Sequence, residues 1–258
     1  MKEEPLDILW QTSDLIAVNK PAGLASIRGR GESDSVLQRL GRQVGIPSAG
    51  EADPRIRVVH RLDKETSGVL LFALNRTAQQ HLSHQFQNNT VGKEYLALVR
   101  GRPAQNEGDI DAPLAPHPAN PRRMAVAKHG GRPARTGWRV EETFRGFALI
   151  HCFPRTGKTH QIRVHLAHVG MPLAIDPLYA RGPAQPDPQV PAGLFLSQFK
   201  RDYRPTRGEP ERPLIARLTL HAEKLSFSDL AGVTINLSAP PPKDFRATLN
   251  QLRRHARR

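Results

Sequence analysis

An uninterrupted apolar run at residues 69–74, Val-Leu-Leu-Phe-Ala-Leu, places the tightest limit on how this chain can fold. A short run without polar alternation predicts a strand covered on both faces of its sheet. The residues before it, 59–68, read Val-His-Arg-Leu-Asp-Lys-Glu-Thr-Ser-Gly and are mostly polar. The sequence therefore predicts a loop carrying Asp63 that leads directly into a buried strand.

Asp63 lies between two basic residues, two positions after Arg61 and immediately before Lys64. A neighbouring positive charge favours the ionised form of a carboxylate. We therefore expect Asp63 to be charged at neutral pH and competent as a nucleophile or a base. A surface turn with a solvated Arg–Asp pair is the simpler interpretation of the same residues.

The charge of the chain indicates its class of partner. It contains 38 Lys and Arg against 24 Asp and Glu, a formal net charge of +14. Such an excess predicts attraction to a polyanion, with strong salt dependence, and nucleic acid is the partner that it favours. With 258 residues, 38% of them hydrophobic, the chain is long enough for one large domain or two small ones with a real core.

Membrane and secretory classes are not indicated. No apolar segment reaches the length of about 18 residues that a spanning helix requires. Residues 1–5 are polar and acidic and lack the apolar region of a secretory signal. The chain has one cysteine, Cys152, so an intramolecular disulfide is excluded, and a cytoplasmic location is expected. Its place in the alternating run 147–153 predicts a buried structural thiol.

Hydrophobic periodicity predicts a chain of mixed strands and helices. Residues 20–23, Lys-Pro-Ala-Gly, should end an early hairpin and display Lys20 on a rigid turn. The predicted strands are 8–10, 15–19, 69–74, 91–101, 147–153, 214–222 and 233–237. The predicted helices are 34–44, a helix capped by Asn75 that runs to about residue 88, a helix capped by Thr159, and a basic helix at the carboxyl end.

The helix expected after Thr159 should turn Ile162, Leu166 and Val169 inward and stop at Gly170. It carries three histidines, His160, His165 and His168. Their spacings of five and three residues do not match the four-residue separation that brings two histidines to one metal, and no acidic residue lies among them. No metal site is therefore expected there, nor at His81 and His84.

Residues 117–136 are rich in His, Lys and Arg. A solvated basic hairpin is one interpretation, and a projecting arm that contacts a phosphate backbone is the other. If the segment is such an arm, we expect its phosphate contacts to come from Arg122, Arg123, Lys128 and Arg132.

The segment 60–68, His-Arg-Leu-Asp-x-x-Thr-Ser-Gly, resembles the catalytic motif of the RluA family of RNA pseudouridine synthases, with Asp63 at the nucleophile position. Further blocks are similar to motifs of that family, in the same order: Asn-Lys-Pro-Ala-Gly-Leu at 19–24, Lys-x-Tyr-x-Ala-Leu-Val at 93–99 and Arg-Thr-Gly-x-Thr-His-Gln-Ile-Arg at 155–163. At 176–179, Asp-Pro-Leu-Tyr is similar to another, but Ile175 and Ala180 replace its two flanking glycines.

The resemblance, which runs from about residue 8 to residue 238, implies an α+β fold with a mixed, largely antiparallel central sheet, flanking helices and an RNA-binding cleft. It implies one catalytic domain over residues 1–258 without an added S4-like domain. We expect a basic loop at about 117–136, an irregular insertion at about 181–213 and a basic tail at about 243–258.

The activity that the resemblance implies is the isomerisation of specific uridines to pseudouridine in ribosomal RNA, transfer RNA or both. Tyr95 is expected to stack on the base and handle a proton, Arg163 to order Asp63, and Arg61 to hold the flipped nucleotide or fill the gap that it leaves. Tyr95 could instead be an ordinary core aromatic and Arg163 an exposed side chain. The other expected substrate contacts are Lys20, Leu62, Thr66, Lys158, His160 and Leu220.

No cofactor is expected, because the isomerisation involves no redox change. An RNA stem-loop is the expected partner, with no obligate protein partner and a monomer as the default. Two other interpretations remain open. One is a non-catalytic RNA-binding or ribosome-assembly factor on the same fold, and the other is a metal-dependent nuclease using Asp63 and the histidines.

Overall fold

The computed structural model describes residues 4–29, 31–47, 55–180, 193–204 and 209–257. The chain divides into two compact units. The first comprises Met1–Tyr95 and His221–Pro240, and the second comprises Leu96–Leu220 and Pro241–Arg258. Each unit therefore combines two stretches that are far apart in sequence.

The described residues contain twelve strands and four α-helices. In chain order the strands are β1 (Asp7–Gln11), β2 (Leu15–Lys20), β3 (Arg57–Val58), β4 (Ser67–Ala73), β5 (Gly92–Arg100), β6 (Glu107–Asp111), β7 (Leu114–Pro116), β8 (Met124–Val126), β9 (Arg135–Phe144), β10 (Phe147–Pro154), β11 (Leu220–Ser228) and β12 (Thr234–Ser238). The helices are α1 (Val36–Val44), α2 (Arg76–Gln87), α3 (Gln161–His168) and α4 (Lys243–His255). Within the described ranges, no helix has both the length and the apolar character needed to cross a bilayer.

The sheet of the first unit runs in the order β1, β2, β4, β11, and the first four residues of β5 belong to the same unit. β2 pairs antiparallel with both β1 and β4, β3 pairs antiparallel with β4, and β12 pairs antiparallel with β11. β4 and β11 are parallel, with Ser67 opposite His221 and Gly68 opposite Ala222. The predicted mixed, largely antiparallel sheet is confirmed.

Strand β4 is buried along its whole length. Side chains alternate across a strand, so Leu70 and Phe72 share one face and pack in a cluster with residues of α1. Val69 and Leu71 share the other face and pack in a cluster with residues of α2. The predicted double-sided burial is confirmed, and it explains why the run contains no polar residue.

The helices of the first unit begin at side-chain caps. The Ser35 hydroxyl accepts a hydrogen bond from the backbone N–H of Gln38, 3.3 Å away, and the Asn75 side chain accepts from that of Ala78 at 2.8 Å. The predicted Asn75 cap is therefore confirmed.

In the second unit, the end of β5 and strands β10, β9 and β6 lie side by side. β10 pairs antiparallel with β9, and β9 with β6, while β7 and β8 form a separate antiparallel hairpin. Phe245, Leu249 and Leu252 of α4 join a core cluster with residues of β5, β9 and β10. Cys152 is buried in β10, and burial raises the pKa of its thiol, in agreement with the structural role predicted for it.

The strand predicted at 214–222 is wrong over its first six residues, because β11 begins only at Leu220. Residues 214–219 form a loop that makes an isolated bridge from Ile215 to Leu194. The buried Thr219 hydroxyl donates to Leu98 O at 2.9 Å and accepts from Ile175 N at 3.3 Å. Side-chain bonds, separate backbone bonds to several segments and burial thus replace a strand ladder here. Of the predicted insertion, residues 181–192 and 205–208 lie outside the described residues.

Candidate active site

Asp63 lies in the Asp63 loop, residues 59–66, between β3 and β4, and it is half-buried. The preceding residue is fixed by one side chain: the Ser26 hydroxyl donates to Leu62 O at 2.8 Å and accepts from Leu62 N at 3.0 Å. On the other side, the backbone N–H of Thr66 donates to Asp63 O at 3.1 Å and closes a turn. The backbone at Asp63 is therefore restrained from both directions.

Lys20 is completely buried, so the expectation that it is displayed on a turn is wrong. Its ammonium donates to three backbone carbonyls, Pro21 O at 2.9 Å, Leu24 O at 2.6 Å and Lys64 O at 2.8 Å. Three acceptors match the three N–H donors of an ammonium and offset the cost of its burial. Gly23 N also donates to Lys64 O, at 2.9 Å. The Pro-Gly turn thus wraps around Lys20 and holds the residue after Asp63.

Two histidines hold the ends of the Asp63 loop. At its start, Nε2 of His60 accepts a hydrogen bond from the backbone N–H of Leu71, 3.0 Å away. At its end, Ser67 Oγ lies 2.9 Å from His221 Nδ1, and His221 Nε2 lies 3.0 Å from Ala239 O. A carbonyl can only accept, so His221 Nε2 donates to Ala239 O. Both rings therefore anchor the loop to the sheet.

The last residue of the motif, Gly68, occupies a position that sterically requires glycine. Its φ of +119° is rarely adopted by other residues, and a Cβ there would lie 2.1 Å from Ala222 O of the parallel strand β11. The close approach of β4 and β11 therefore requires glycine at the exit of the Asp63 loop.

Tyr95 is half-buried on β5 and packs against the core cluster that contains Leu62 and Leu70. Burial, together with the charge of Asp63, raises the pKa of the Tyr95 phenol. Two residues predicted to be catalytic are thus close enough in the first unit to interact electrostatically, and the phenol is protonated at neutral pH. The other predicted contacts in this loop differ in exposure: Arg61 is exposed, whereas Leu62 and Thr66 are buried.

Arg163 is buried in α3 of the second unit, so the alternative interpretation of an exposed side chain is wrong. Its Nε donates to Asp176 Oδ2 at 2.8 Å and its Nη2 donates to Asp176 Oδ1 at 2.9 Å. Asp176 also accepts from Leu178 N at 2.9 Å, so the turn of this motif forms although Ile175 and Ala180 replace its glycines. The proposed ordering of Asp63 by Arg163 stays a prediction.

Tyr179 joins three parts of the second unit. Its hydroxyl accepts from Met124 N of the β7–β8 hairpin at 2.8 Å and lies 2.8 Å from His160 Nδ1. The guanidinium groups of Arg123 and Arg163 lie 5.2 and 5.1 Å from its ring centre. The base of the basic arm is therefore attached to α3.

The amino end of α3 differs from the prediction. His160, with a φ of 55°, occupies the cap position and makes no side-chain capping bond, so the expected Thr159 cap is wrong. Instead, the Gln161 side-chain oxygen accepts from Lys158 N at 3.0 Å and from the Thr156 hydroxyl at 2.7 Å. Val169 follows the helix and is 43% exposed, so its predicted inward orientation is also wrong.

The basic segment 117–136 contains the predicted hairpin, formed by β7 and β8. Arg122, Lys128 and Arg132 are exposed, whereas Arg123 is half-buried against Tyr179. Leu220, the predicted pocket residue, is buried at the start of β11, and Lys158 is half-buried. The roles of these residues in RNA binding stay predictions.

Sequence reasoning missed Ser26, His221 and the partnership of Arg163 with Asp176. A serine in a loop carries no periodic or compositional signal, so Ser26 could not be identified. The approach of His221 to Ser67 depends on a parallel pairing across 154 positions of sequence. Asp176 belongs to a motif that the sequence shows, but nothing in the sequence indicates that Asp176 pairs with Arg163.

The sequence of the chain is similar to one protein family and to several curated proteins. Residues 14–168 match the family described as RNA pseudouridylate synthase. The ribosomal large subunit pseudouridine synthase D of Nitrosomonas europaea is 38% identical over 250 residues, which cover 96% of this chain and 66% of that protein. Its counterpart in Xanthomonas campestris is 37% identical over 257 residues, which cover 98% of this chain and 71% of that protein. The chain thus spans about two thirds of the length of these curated relatives.

A solved human structure, RNA pseudouridylate synthase domain containing 4, superposes with a TM-score of 0.69 at 26% identity. The match covers 96% of this chain and 93% of the human chain. The fold expected from the sequence motifs is therefore confirmed by a solved relative.

Proposed function

Since this chain belongs to the RNA pseudouridylate synthase family, we propose that it converts uridine to pseudouridine in RNA, with Asp63 as the nucleophile. The reaction breaks the bond between ribose C1′ and uracil N1 and forms a bond between C1′ and C5. N1 gains a proton and C5 loses one, so the product is an isomer of the substrate. The observation that carries the proposal is that Asp63, in a loop whose backbone is restrained at Leu62, lies close enough to the Tyr95 phenol for its charge to help raise the phenol's pKa.

A carboxylate suits this chemistry for the reason that glycosidases use one. It can attack the anomeric carbon or stabilise the positive charge that develops as the C1′–N1 bond breaks. Both the covalent route and the glycal route need the carboxylate at a fixed angle to C1′. The bonds to Leu62 and Lys64, on either side of Asp63, restrain the backbone that carries this carboxylate.

Tyr95 would act first as a stacking partner. While Asp63 is charged, its carboxylate helps to keep the phenol protonated, which makes Tyr95 a poor base at that stage. If Asp63 bonds to C1′, its charge disappears and with it one cause of the raised pKa of Tyr95. The phenol would then handle a proton more easily in the step that removes hydrogen from C5.

The target uridine must leave the base stack, which costs a few kcal/mol. The net charge of +14 supports RNA binding through phosphate contacts that offset this cost. We assign backbone contacts to the exposed cations in and directly after the β7–β8 hairpin, Arg122, Lys128 and Arg132. We assign the holding of the flipped nucleotide to Arg61, which is exposed in the Asp63 loop.

The names of the curated relatives make large-subunit ribosomal RNA the first substrate to test, with transfer RNA as the second. A stem-loop with unstacked bases is the form that such an enzyme would read. We further propose that the protein acts as a monomer and in the cytoplasm, where such RNA would be met in bacteria.

The test follows tritium released to water from large-subunit ribosomal RNA and transfer RNA labelled at uridine C5. The native protein should release tritium, and Asp63→Asn should release none, because the amide keeps the shape of the carboxylate but is not a nucleophile. Asp109→Asn, at an exposed acidic position of β6, is the matched control and should keep the native rate. Mapping pseudouridine in the product then identifies the target nucleotide.

Two outcomes would contradict the proposal. If the native protein binds both RNAs but releases no tritium, a non-catalytic RNA-binding factor becomes the better interpretation. If Asp63→Asn keeps the native rate, Asp63 is not the nucleophile.

A further inference from the structure

We propose that Ser26 is a positioning residue that sets the angle at which Asp63 meets the substrate, an inference that rests on the proposed function. Ser26 is 4% exposed and lies outside every sequence motif noted above. Its hydroxyl contacts the residue directly before Asp63 through two hydrogen bonds.

The Ser26 hydroxyl bonds to both backbone groups of Leu62, as the backbone of a neighbouring strand would. One hydroxyl supplies one donor and an acceptor lone pair, and here it satisfies both the C=O and the N–H of Leu62. Leu62 is buried in the core cluster of the first unit, so water does not readily replace these bonds. A neighbouring strand would need two backbone groups to do the same.

Ser26 is itself fixed to α1. The N–H of Val36 donates to Ala25 O at 2.8 Å, and the N–H of Leu37 donates to Ser26 O at 3.2 Å. These donors belong to the first turn of the helix, which has no intrahelical partners for them. The position of Leu62 is thereby set by α1 through Ser26.

The residue after Asp63 is held independently. Lys64 O accepts from the Lys20 ammonium and from Gly23 N, neither of which depends on the Ser26 hydroxyl. Removing that hydroxyl should therefore free one side of Asp63 while the other side stays in place. The Asp63 carboxylate would then change its orientation, while Lys64 would keep the loop attached to the Lys20 turn.

This geometry predicts a change in kcat with little change in KM, because RNA affinity comes largely from phosphate contacts. A displacement of about 1 Å in a reacting group can lower a rate by about a hundredfold. We expect Ser26→Ala to lower kcat for tritium release by about tenfold to a hundredfold and to leave KM within about twofold of the native value. Ser26→Thr keeps the hydroxyl and should restore most of the activity.

The experiment uses large-subunit ribosomal RNA labelled at uridine C5, with thermal denaturation of each variant measured in parallel. Thr248→Ala is the control, because it removes another buried hydroxyl, one that donates to Asp244 O in α4 of the second unit. It should keep kcat within about twofold even if it lowers the melting temperature. Ser26→Cys keeps the side-chain size with a weaker donor and replaces Ser26→Ala if that variant does not fold.

The outcomes separate this inference from the proposed function. A native protein that releases no tritium contradicts the function itself. An active native protein with Ser26→Ala, or Ser26→Cys in its place, within about twofold in kcat overturns the role of Ser26. A loss that matches the unfolded fraction, or that Ser26→Thr does not restore, overturns it as well.

Discussion

The imidazole ring of His60 lies parallel to the ring of Phe86, with 4.6 Å between their centres and 15° between their planes. The same imidazole accepts the backbone N–H of Leu71 in β4, which it can do only through an unprotonated nitrogen. Burial, with a contribution from the charge of Lys93, lowers the pKa of His60 to about 3. A neutral histidine thus connects α2, β4 and the start of the Asp63 loop.

The lowered pKa of His60 predicts a loss of stability in acid. The unfolded chain takes up a proton near pH 6.5, whereas the folded chain resists protonation down to about pH 3. This contribution to stability is present above pH 6.5 and is lost as the pH falls from there, by up to about 1.4 kcal/mol per pH unit. His60→Gln should therefore lose less stability than the native protein between pH 7.5 and pH 5, measured by urea unfolding.

The matched control is His84→Gln, at an exposed position of the same helix α2. It should retain the native dependence of unfolding free energy on pH. Equal slopes for His60→Gln and the native protein would contradict the neutral anchor.

Replacing Asp176 by Asn should destabilise the second unit by about 1–3 kcal/mol, since it removes the charge of a carboxylate that accepts two hydrogen bonds from the buried Arg163. The two side chains are 6% and 0% exposed, so water does not replace the lost partner. Urea unfolding monitored by circular dichroism measures the effect. Asp109→Asn removes the partner of Arg135 in a pair whose side chains are about half exposed, and it should cost less than about 1 kcal/mol.

Gly68→Ala should prevent folding or cost more than about 3 kcal/mol, because its Cβ would overlap Ala222 O and its φ is positive. The backbone of β11 cannot withdraw without breaking its pairing with β4. Gly170→Ala separates the two causes: it has a φ of +78° but nothing within 4 Å of the added Cβ, so about 1 kcal/mol is expected. Thermal denaturation of both variants compares their stabilities, and similar melting temperatures would contradict the steric argument.

The combined substitution of Arg122, Lys128 and Arg132 by Ala should weaken RNA binding at low salt and reduce its salt dependence. Each phosphate contact contributes about 0.7–0.9 to the slope of log K against log salt, so three contacts predict a decrease of about 2 to 3. Filter binding between about 50 and 200 mM salt measures the slope. Lys224→Ala removes a cation that is paired with Glu94, and its slope should remain native. An unchanged slope in the triple variant would remove the hairpin from the RNA interface.

Much of the fold was accessible from the sequence because burial leaves periodic patterns. The run at 69–74 predicted β4, and the polar cap at Asn75 predicted the start of α2. The same logic failed for residues 214–219, where Ile215 and Leu218 are buried in a loop and Thr219 bonds to the backbone of residues remote in sequence. A pattern of apolar residues in the sequence indicates that side chains are buried, but buried side chains also occur in loops.

The candidate site was predictable in its reacting groups and not in its supports. Asp63 and Tyr95 occur in long motifs, and the first unit holds them together. Lys20 was recognised in a motif but assigned to the surface, because a Pro-Gly turn looks the same in sequence whether it faces water or encloses an ammonium. Ser26 carried no signal, since its importance depends on a loop 36 positions further along the chain.

Cys152 offers a use that its structural role does not suggest. It is the only thiol in 258 residues and is fully buried in β10. A thiol reagent can reach it only when that strand opens, so the labelling rate in native buffer reports how often the second unit opens. The natural chain therefore carries its own single-site reporter, against which substitutions such as Asp176→Asn can be compared without attaching a probe.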